Sequence, residues 1–161
     1  MSGKIKSVEE LIDISEKLKE DGKVIVTTNG CFDILHCAHI NLIERAKGEG
    51  DLLIVLVNSD DSIRKLKGDK RPIIPENERV RMLAALGAVD YVTVFDDETP
   101  LSILEKIKPD AHVKGGSSNK EPMLEEKSLL ESLGSKHIIL PIEDGFSTTN
   151  VIEKVLGKYK G

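Results

Sequence analysis

Apolar and polar positions follow two rhythms along the chain. Val8, Leu11, Ile12, Ile14 and Leu18 recur near the helical period, and Ser7 followed by Glu10 has the form of a capping box. Residues 7–20 are therefore predicted to open the chain as a helix that Asp21-Gly22 ends. Five short runs rich in β-branched or apolar residues read as buried strands: KVIVTT (23–28), LLIVLV (52–57), YVTVF (91–95), AHV (111–113) and HIIL (137–140). Helical patterns at 38–47, 60–66, 76–86, 100–107 and 121–133 separate or join these runs, and another at 148–156 follows the last strand.

This alternation predicts an α/β fold, a Rossmann-like parallel five-stranded sheet of order 3-2-1-4-5 with helices on both faces. In such sheets ligands bind beyond the carboxyl ends of the strands, where the strand order reverses. That order makes the first and fourth strands flank the crevice. Their following loops, NGCFDILHCAH and KGGSSNK, would then face each other.

The first loop is suited to phosphate. Asn29-Gly30 turns the chain sharply after the strand, and Gly30 lets backbone amides approach an anion. A helix beginning near Ala38 points free N–H groups and its positive dipole end the same way, with His36 and His39 on one side of its first turn. Imidazoles there can donate to phosphoryl oxygens and stabilise charge in a phosphoryl-transfer transition state. The basic segment RKLKGDKRP (64–72) follows the second strand, so Lys67 and Arg71 can close over a polyphosphate, unless the segment is only solvated surface. Of Arg79 and Arg81 on the next helix, one is expected to reach the ligand and one to be exposed. Lys114 lies between an apolar strand and Gly115-Gly116. Ser147, Thr148 and Thr149 stand at a helix start, where they either cap the helix or add a phosphate contact.

Composition narrows the function classes. The 161 residues fit one domain spanning 1–161. A net charge of −5 and three Phe, two Tyr and no Trp argue against a nucleic-acid partner. Neither a long apolar run nor a charged-then-apolar leader is present, so no membrane partner is expected and the reading is cytoplasmic. Cys31, His36, Cys37 and His39 raise the question of zinc, but adjacent His36-Cys37 does not match the spacing of structural zinc sites; no metal ligand is assigned, and both cysteines are expected to be ordinary buried thiols. Residues 1–6 and 158–161 are expected to fray. A homodimer is the default assembly. A dehydrogenase would need G-x-G-x-x-G after the first strand, which is missing.

The block FDILHCAH resembles the H-x-G-H signature of the cytidylyltransferase-like nucleotidyltransferases, here His36-Cys37-Ala38-His39. The resemblance continues through VNSDDSIRKLKGDKRPIIPENERVRMLAAL, VKGG and EDGFSTTN, in order, over about residues 23–155. It implies transfer of a nucleotidyl group from a nucleoside triphosphate, with Mg²⁺, to a phosphorylated acceptor with release of pyrophosphate. The similarity is greatest to members that transfer AMP from ATP to a heptose 1-phosphate; CTP with glycerol phosphate and ATP with FMN are the alternatives. A nucleotide-sensing protein without turnover is the competing class. The implied roles place His36, His39, Lys67 and Arg79 in the catalytic set. Thr28, Asn29, Gly30, Cys31, Phe32, Arg71, Ser147, Thr148 and Thr149 are implied to hold the nucleotide and its phosphates, and Asp33, Lys114 and Gly115 the acceptor. Two positions depart from the family pattern: Ala38 replaces the signature glycine, and Ser117 stands where heptose members carry Asp.

Overall fold

A computed structural model describes residues 3–116, 121–141 and 145–159. In chain order its elements are α1 (Val8–Glu20), β1 (Ile25–Gly30), α2 (Cys37–Lys47), β2 (Leu52–Asn58), α3 (Asp60–Lys67), α4 (Glu76–Ala84), β3 (Tyr91–Phe95), α5 (Leu101–Ile107), β4 (Ala111–Gly115), α6 (Glu121–Ser132), β5 (Lys136–Leu140) and α7 (Thr148–Tyr159). All strand pairs are parallel, and the order is β3-β2-β1-β4-β5, as the alternation of elements predicts.

The pleat divides the core. Leu53, Val55 and Val57 of β2 pack on one face with Ile43 and Ala46 of α2 and with Val80 and Leu83 of α4. Ile54 and Leu56 project to the opposite face, among Leu11 of α1, Leu104 and Ile107 of α5 and Leu130 of α6. Each such side chain contributes about 1.5–3 kcal/mol on burial, so a period-two strand pattern suffices to set which helices cover which face. The capping box of α1 forms as predicted: Glu10 N donates to Ser7 Oγ at 3.1 Å, and Ser7 N donates to the Glu10 carboxylate at 2.8 Å.

Three boundaries differ from the sequence reading. β1 begins at Ile25 and runs on through Asn29 and Gly30, which pair with Leu56 and Val57, so these two residues are held in sheet register. The chain start is not frayed at Lys4–Lys6: Ile5 bridges to Val92, Lys6 N donates to Val92 O at 3.0 Å, and Lys4 Nζ donates to Leu86 O and Val89 O. The open edge of β3 supplies the partners that the segment lacks on its own. At the other end α7 continues to Tyr159, with no buried residue and with Val155, Leu156 and Tyr159 exposed. Among the described residues no helix is long and apolar enough to cross a membrane.

Candidate active site

Pairing of β1 with β4 brings their carboxyl ends together around a cavity of about 810 Å³. Its lining comprises Asn29, Gly30, Cys31 and Phe32 after β1, and His36, Ala38, His39, Leu42 and Arg45 of α2 or its start. Lys67, Arg71, Lys114 and Gly115 continue the wall, which Leu140, Pro141 and Phe146–Thr149 complete. Most of the residues expected at the ligand therefore converge.

The turn is built around Phe32. Its backbone takes φ 46°, a left-handed conformation that non-glycine residues seldom adopt. The ring is buried against Gly30, where a Cβ would lie a tight 3.2 Å from it, so any larger residue there would have to push the ring aside. Phe32 also meets His39 edge-on, with centroids 5.2 Å apart, and His39 stacks on His36 at 3.8 Å and 21°. The two imidazoles thus brace each other at the start of α2.

α2 has no side-chain cap, because His36 occupies the cap position without bonding there, and no acidic residue lies in its first turn. α1 and α3 are both capped by serines. The free N–H groups of α2 therefore remain for an anion, and the Nδ1 atoms of His36 and His39 are buried without a hydrogen-bond partner among the described residues. Burial depresses His39 to about 4, assisted by the nearby His36 and Lys67, and burial lowers His36 as well. Both rings are neutral at pH 7, each with one donor and one acceptor nitrogen.

Burial also lowers His112, to about 3, and His137, so all four histidines of the chain resist protonation when folded. Below the unfolded value, about 6.5, the unfolded chain takes up protons that the folded one refuses. Stability is thus fully present above about pH 6.5 and falls as pH drops toward 4. Urea unfolding across this range is expected to show uptake of more than one proton per molecule from histidines, and a flat stability between pH 7 and 5 would refute the neutral, buried rings.

Three expected contacts are not brought into the crevice. Thr28 is fully buried within the sheet and does not line the cavity. Asp33 is buried too: Ile73 N and Ile74 N each donate to Oδ1 at 2.8 Å and Arg71 Nε donates to Oδ2, so the carboxylate clamps the basic segment instead of meeting an acceptor. Arg79 is fully buried and its donors are spent on protein acceptors, Ile74 O at 2.9 Å, Cys31 O at 2.6 Å, Asn58 O at 2.8 Å and Asp60 Oδ1 at 2.7 Å. It supports the β1 turn from beneath. Arg81 is the exposed member of that pair, as its place on α4 suggests. The cysteines correct a further expectation, since Cys37 is exposed and Cys31 only half-buried, both as free thiols. Cys37 is the first residue of α2 and does not line the cavity.

Other assignments gain detail. Arg71 lines the cavity with Nη2 buried and without a hydrogen-bond partner among the described residues, and Lys67 in the same lining is exposed. Ser147 Oγ accepts from Asn150 N at 3.0 Å, so it caps the last helix while also lining the crevice with Thr148 and Thr149. Ser117, Glu143 and Asp144 lie outside the described residues. Leu42 and Arg45 continue the three-residue step from His36 and His39 along α2, a spacing from which they were readable; Leu140, Pro141 and Phe146 carry no such signal.

Lys114 is held by a residue that sequence reasoning missed. Its ammonium pairs with Glu126 of α6, whose side chain is 1% exposed. Lys114→Met leaves that carboxylate buried without its partner and is expected to cost about 2–3 kcal/mol in unfolding free energy. With Glu126→Gln added, stability should return while turnover stays at least about 10-fold below that of Glu126→Gln alone. Full recovery of turnover in the double variant would show that Lys114 serves only the pair.

Among the described residues lining the crevice, cations and neutral histidines are present and carboxylates are absent. Within an acidic chain this is a locally positive pocket, suited to a phosphate-rich ligand. The described residues also contain no cluster of metal-ligating side chains. The lining therefore does not itself build a magnesium site, which commonly uses one or two carboxylates besides substrate phosphates.

Residues 27–154 match the family model described as cytidylyltransferase-like. The chain is 46% identical over 157 residues to the bifunctional protein HldE of Syntrophotalea carbinolica, covering 98% of this chain and 32% of that protein. It is 47% identical over 156 residues to the bifunctional protein HldE of Geobacter metallireducens, covering 97% and 32%. The chain thus spans about a third of the length of these relatives. The crystal structure of a lipopolysaccharide core biosynthesis protein from Thermoplasma volcanium superposes with a TM-score of 0.62 at 30% identity, covering 76% of this chain and 98% of that one. A pantoate-beta-alanine ligase from Francisella tularensis shares the fold at a TM-score of 0.62 and 17% identity, over 98% of this chain and 78% of its own.

Proposed function

The chain belongs to the cytidylyltransferase-like family, and from that premise we propose that residues 1–161 form a single nucleotidyltransferase domain that transfers AMP from ATP to a sugar 1-phosphate. The specific acceptor in this reading is heptose 1-phosphate, and the products are an ADP-sugar and pyrophosphate. The observation that carries it is the stacked His36-His39 pair at the uncapped start of α2, in one lining with Lys67, Arg71 and Lys114 and with no carboxylate among the described lining residues. The heptose assignment is supported by the four sequence blocks and by the name of the Thermoplasma volcanium relative, a lipopolysaccharide core biosynthesis protein.

In this mechanism a phosphate oxygen of the acceptor attacks the α-phosphorus of ATP. The bond from that phosphorus to the oxygen bridging to the β-phosphorus breaks, and pyrophosphate leaves. The acceptor phosphate is already ionised near neutral pH, so no general base is needed; alignment and charge neutralisation supply the rate. His36 and His39 donate to oxygens on which charge accumulates, while Lys67, Arg71 and the amides of the β1 turn and α2 hold the triphosphate. Lys114 and Gly115 face the acceptor. Magnesium carried on the phosphates of ATP would supply charge neutralisation there, with no carboxylate ligand from the described lining. Asp33 and Arg79 act by holding Arg71 and the turn. A cytoplasmic homodimer completes the reading, and the exposed Val155, Leu156 and Tyr159 of α7 favour association.

The test is a matrix of nucleoside triphosphates against phosphorylated acceptors, scored by pyrophosphate. Release with ATP and heptose 1-phosphate is the expected result. Release only with CTP and glycerol 3-phosphate, or with ATP and FMN, would reassign the acceptor. Nucleotide binding with no release from any pair would replace the enzyme with a sensing protein.

A further inference from the structure

A buried polar chain lies directly behind the crevice. The register of β1 and β4 sets Thr27 beside His112. The fully buried His112 ring spans two residues of β1, with Nδ1 2.8 Å from Thr27 Oγ1 and Nε2 3.2 Å from Asn29 Oδ1. Asn29 lines the cavity. An apolar side chain would serve a buried strand position with no polar cost, whereas an imidazole is tolerated there only when both nitrogens are answered.

The polarity of the chain follows from its members. A neutral imidazole has one donor and one acceptor. The Thr27 hydroxyl can fill either role. The choice is made at Nε2, where the Glu126 carboxylate approaches at 3.8 Å with Oε2 lacking a hydrogen-bond partner among the described residues and its other oxygen paired to Lys114. A negative charge there favours the proton on Nε2. Nε2–H then donates to Asn29 Oδ1, Thr27 Oγ1–H donates to Nδ1, and only the Asn29 amide N–H₂ remains for the crevice. The opposite tautomer would turn the Asn29 oxygen outward, where it would repel phosphate. Burial, with Lys114 and His137 nearby, keeps the ring neutral, and His137 stacks beside it at 6.2 Å.

We propose that His112 is a positioning residue: through its Nε2–H it fixes the Asn29 carboxamide with the N–H₂ group toward the crevice, where that group donates to a phosphate oxygen of the bound substrates. The inference deepens the nucleotidyl-transfer reading and rests on it.

The first arm of the test needs no turnover. Nitrogen-15 spectra of labelled protein should show His112 as the neutral Nε2–H tautomer from pH 5 to 8, and His112→Leu should shift the Asn29 carboxamide resonance; an Nδ1–H tautomer overturns the proposal. The second arm is pyrophosphate release. His112→Gln, which can return an N–H donor to the Nε2 position, should keep kcat within about 3-fold of the parent. His112→Leu and Asn29→Ala should each lose about 10-fold, and the double variant no more than either. Parent-like kcat in His112→Leu, or losses that multiply in the double variant, overturns it. If the parent itself releases no pyrophosphate with any pair, the nucleotidyl-transfer reading fails separately. ATP titration followed at the Asn29 carboxamide then decides the placement, and an unmoved resonance overturns it.

Discussion

Replacing His36 or His39 by alanine is expected to lower kcat for pyrophosphate release on the order of 100-fold or more, with a much smaller change in KM for the triphosphate. In the proposed mechanism the ground-state triphosphate has other anchors, in Lys67, Arg71 and the amides of α2, so losing one imidazole is expected to cost little binding. The imidazole donors gain strength as charge redistributes around the α-phosphorus, so their loss falls on the transition state. Because the rings stack at 3.8 Å, each fixes the orientation of the other, and the double variant should lose less than the product of the single effects. Steady-state kinetics on the three variants checks both statements. Near-normal turnover in both single variants would remove the pair from the mechanism.

Arg79→Leu is expected to lose about 3–5 kcal/mol of unfolding free energy, the scale seen when one partner of a buried charge network is removed. The guanidinium joins four acceptors from separate places in the chain: the carbonyls of Cys31, Asn58 and Ile74 and the carboxylate of Asp60. Leucine fills part of the volume and answers none of them. Arg79→Lys restores the charge without the planar fork, and should recover only part of the loss. Urea denaturation reads the effect directly, and a parent-like midpoint for Arg79→Leu would show that the network carries no stability. A fall in turnover alone, with stability unchanged, would return Arg79 to the catalytic set.

How much of this was legible beforehand depends on where each partner sits. The parallel sheet covered on both faces followed from the alternation of short apolar runs with helical patterns, because parallel strands need crossovers, while the order 3-2-1-4-5 was the expectation for a Rossmann-like sheet and matches the one observed. The histidine pair and the Ser147 cap were readable because their partners lie within a few residues, whereas Asn29-Gly30, read as a turn, proved to belong to β1. Arg79 was misplaced because its environment comes from Cys31, 48 positions away, and Asn58, 21 away, a buried pocket that no local pattern announces. Asp33 was assigned to the acceptor by the resemblance, but its partners Arg71, Ile73 and Ile74 come from the segment between α3 and α4, about 40 positions along the chain. Glu126 looked like one more acidic residue on an outer helix. Only the packing of α6 over β4 turns it inward, to Lys114 and His112.

The two walls of the crevice are fastened very differently. Through Arg79 the turn after β1 is tied to the end of β2, to α3 and to Ile74, so it cannot loosen without breaking contacts that belong to the global core. The wall contributed by Phe146–Thr149 leads into α7, which buries no residue. Local opening draws on whichever segment has the lowest free energy of separation. The crevice is therefore fastened to the global core on one side and on the other to a helix without buried residues, and in the proposed reaction exchange of substrate and product is expected to draw on the α7 side.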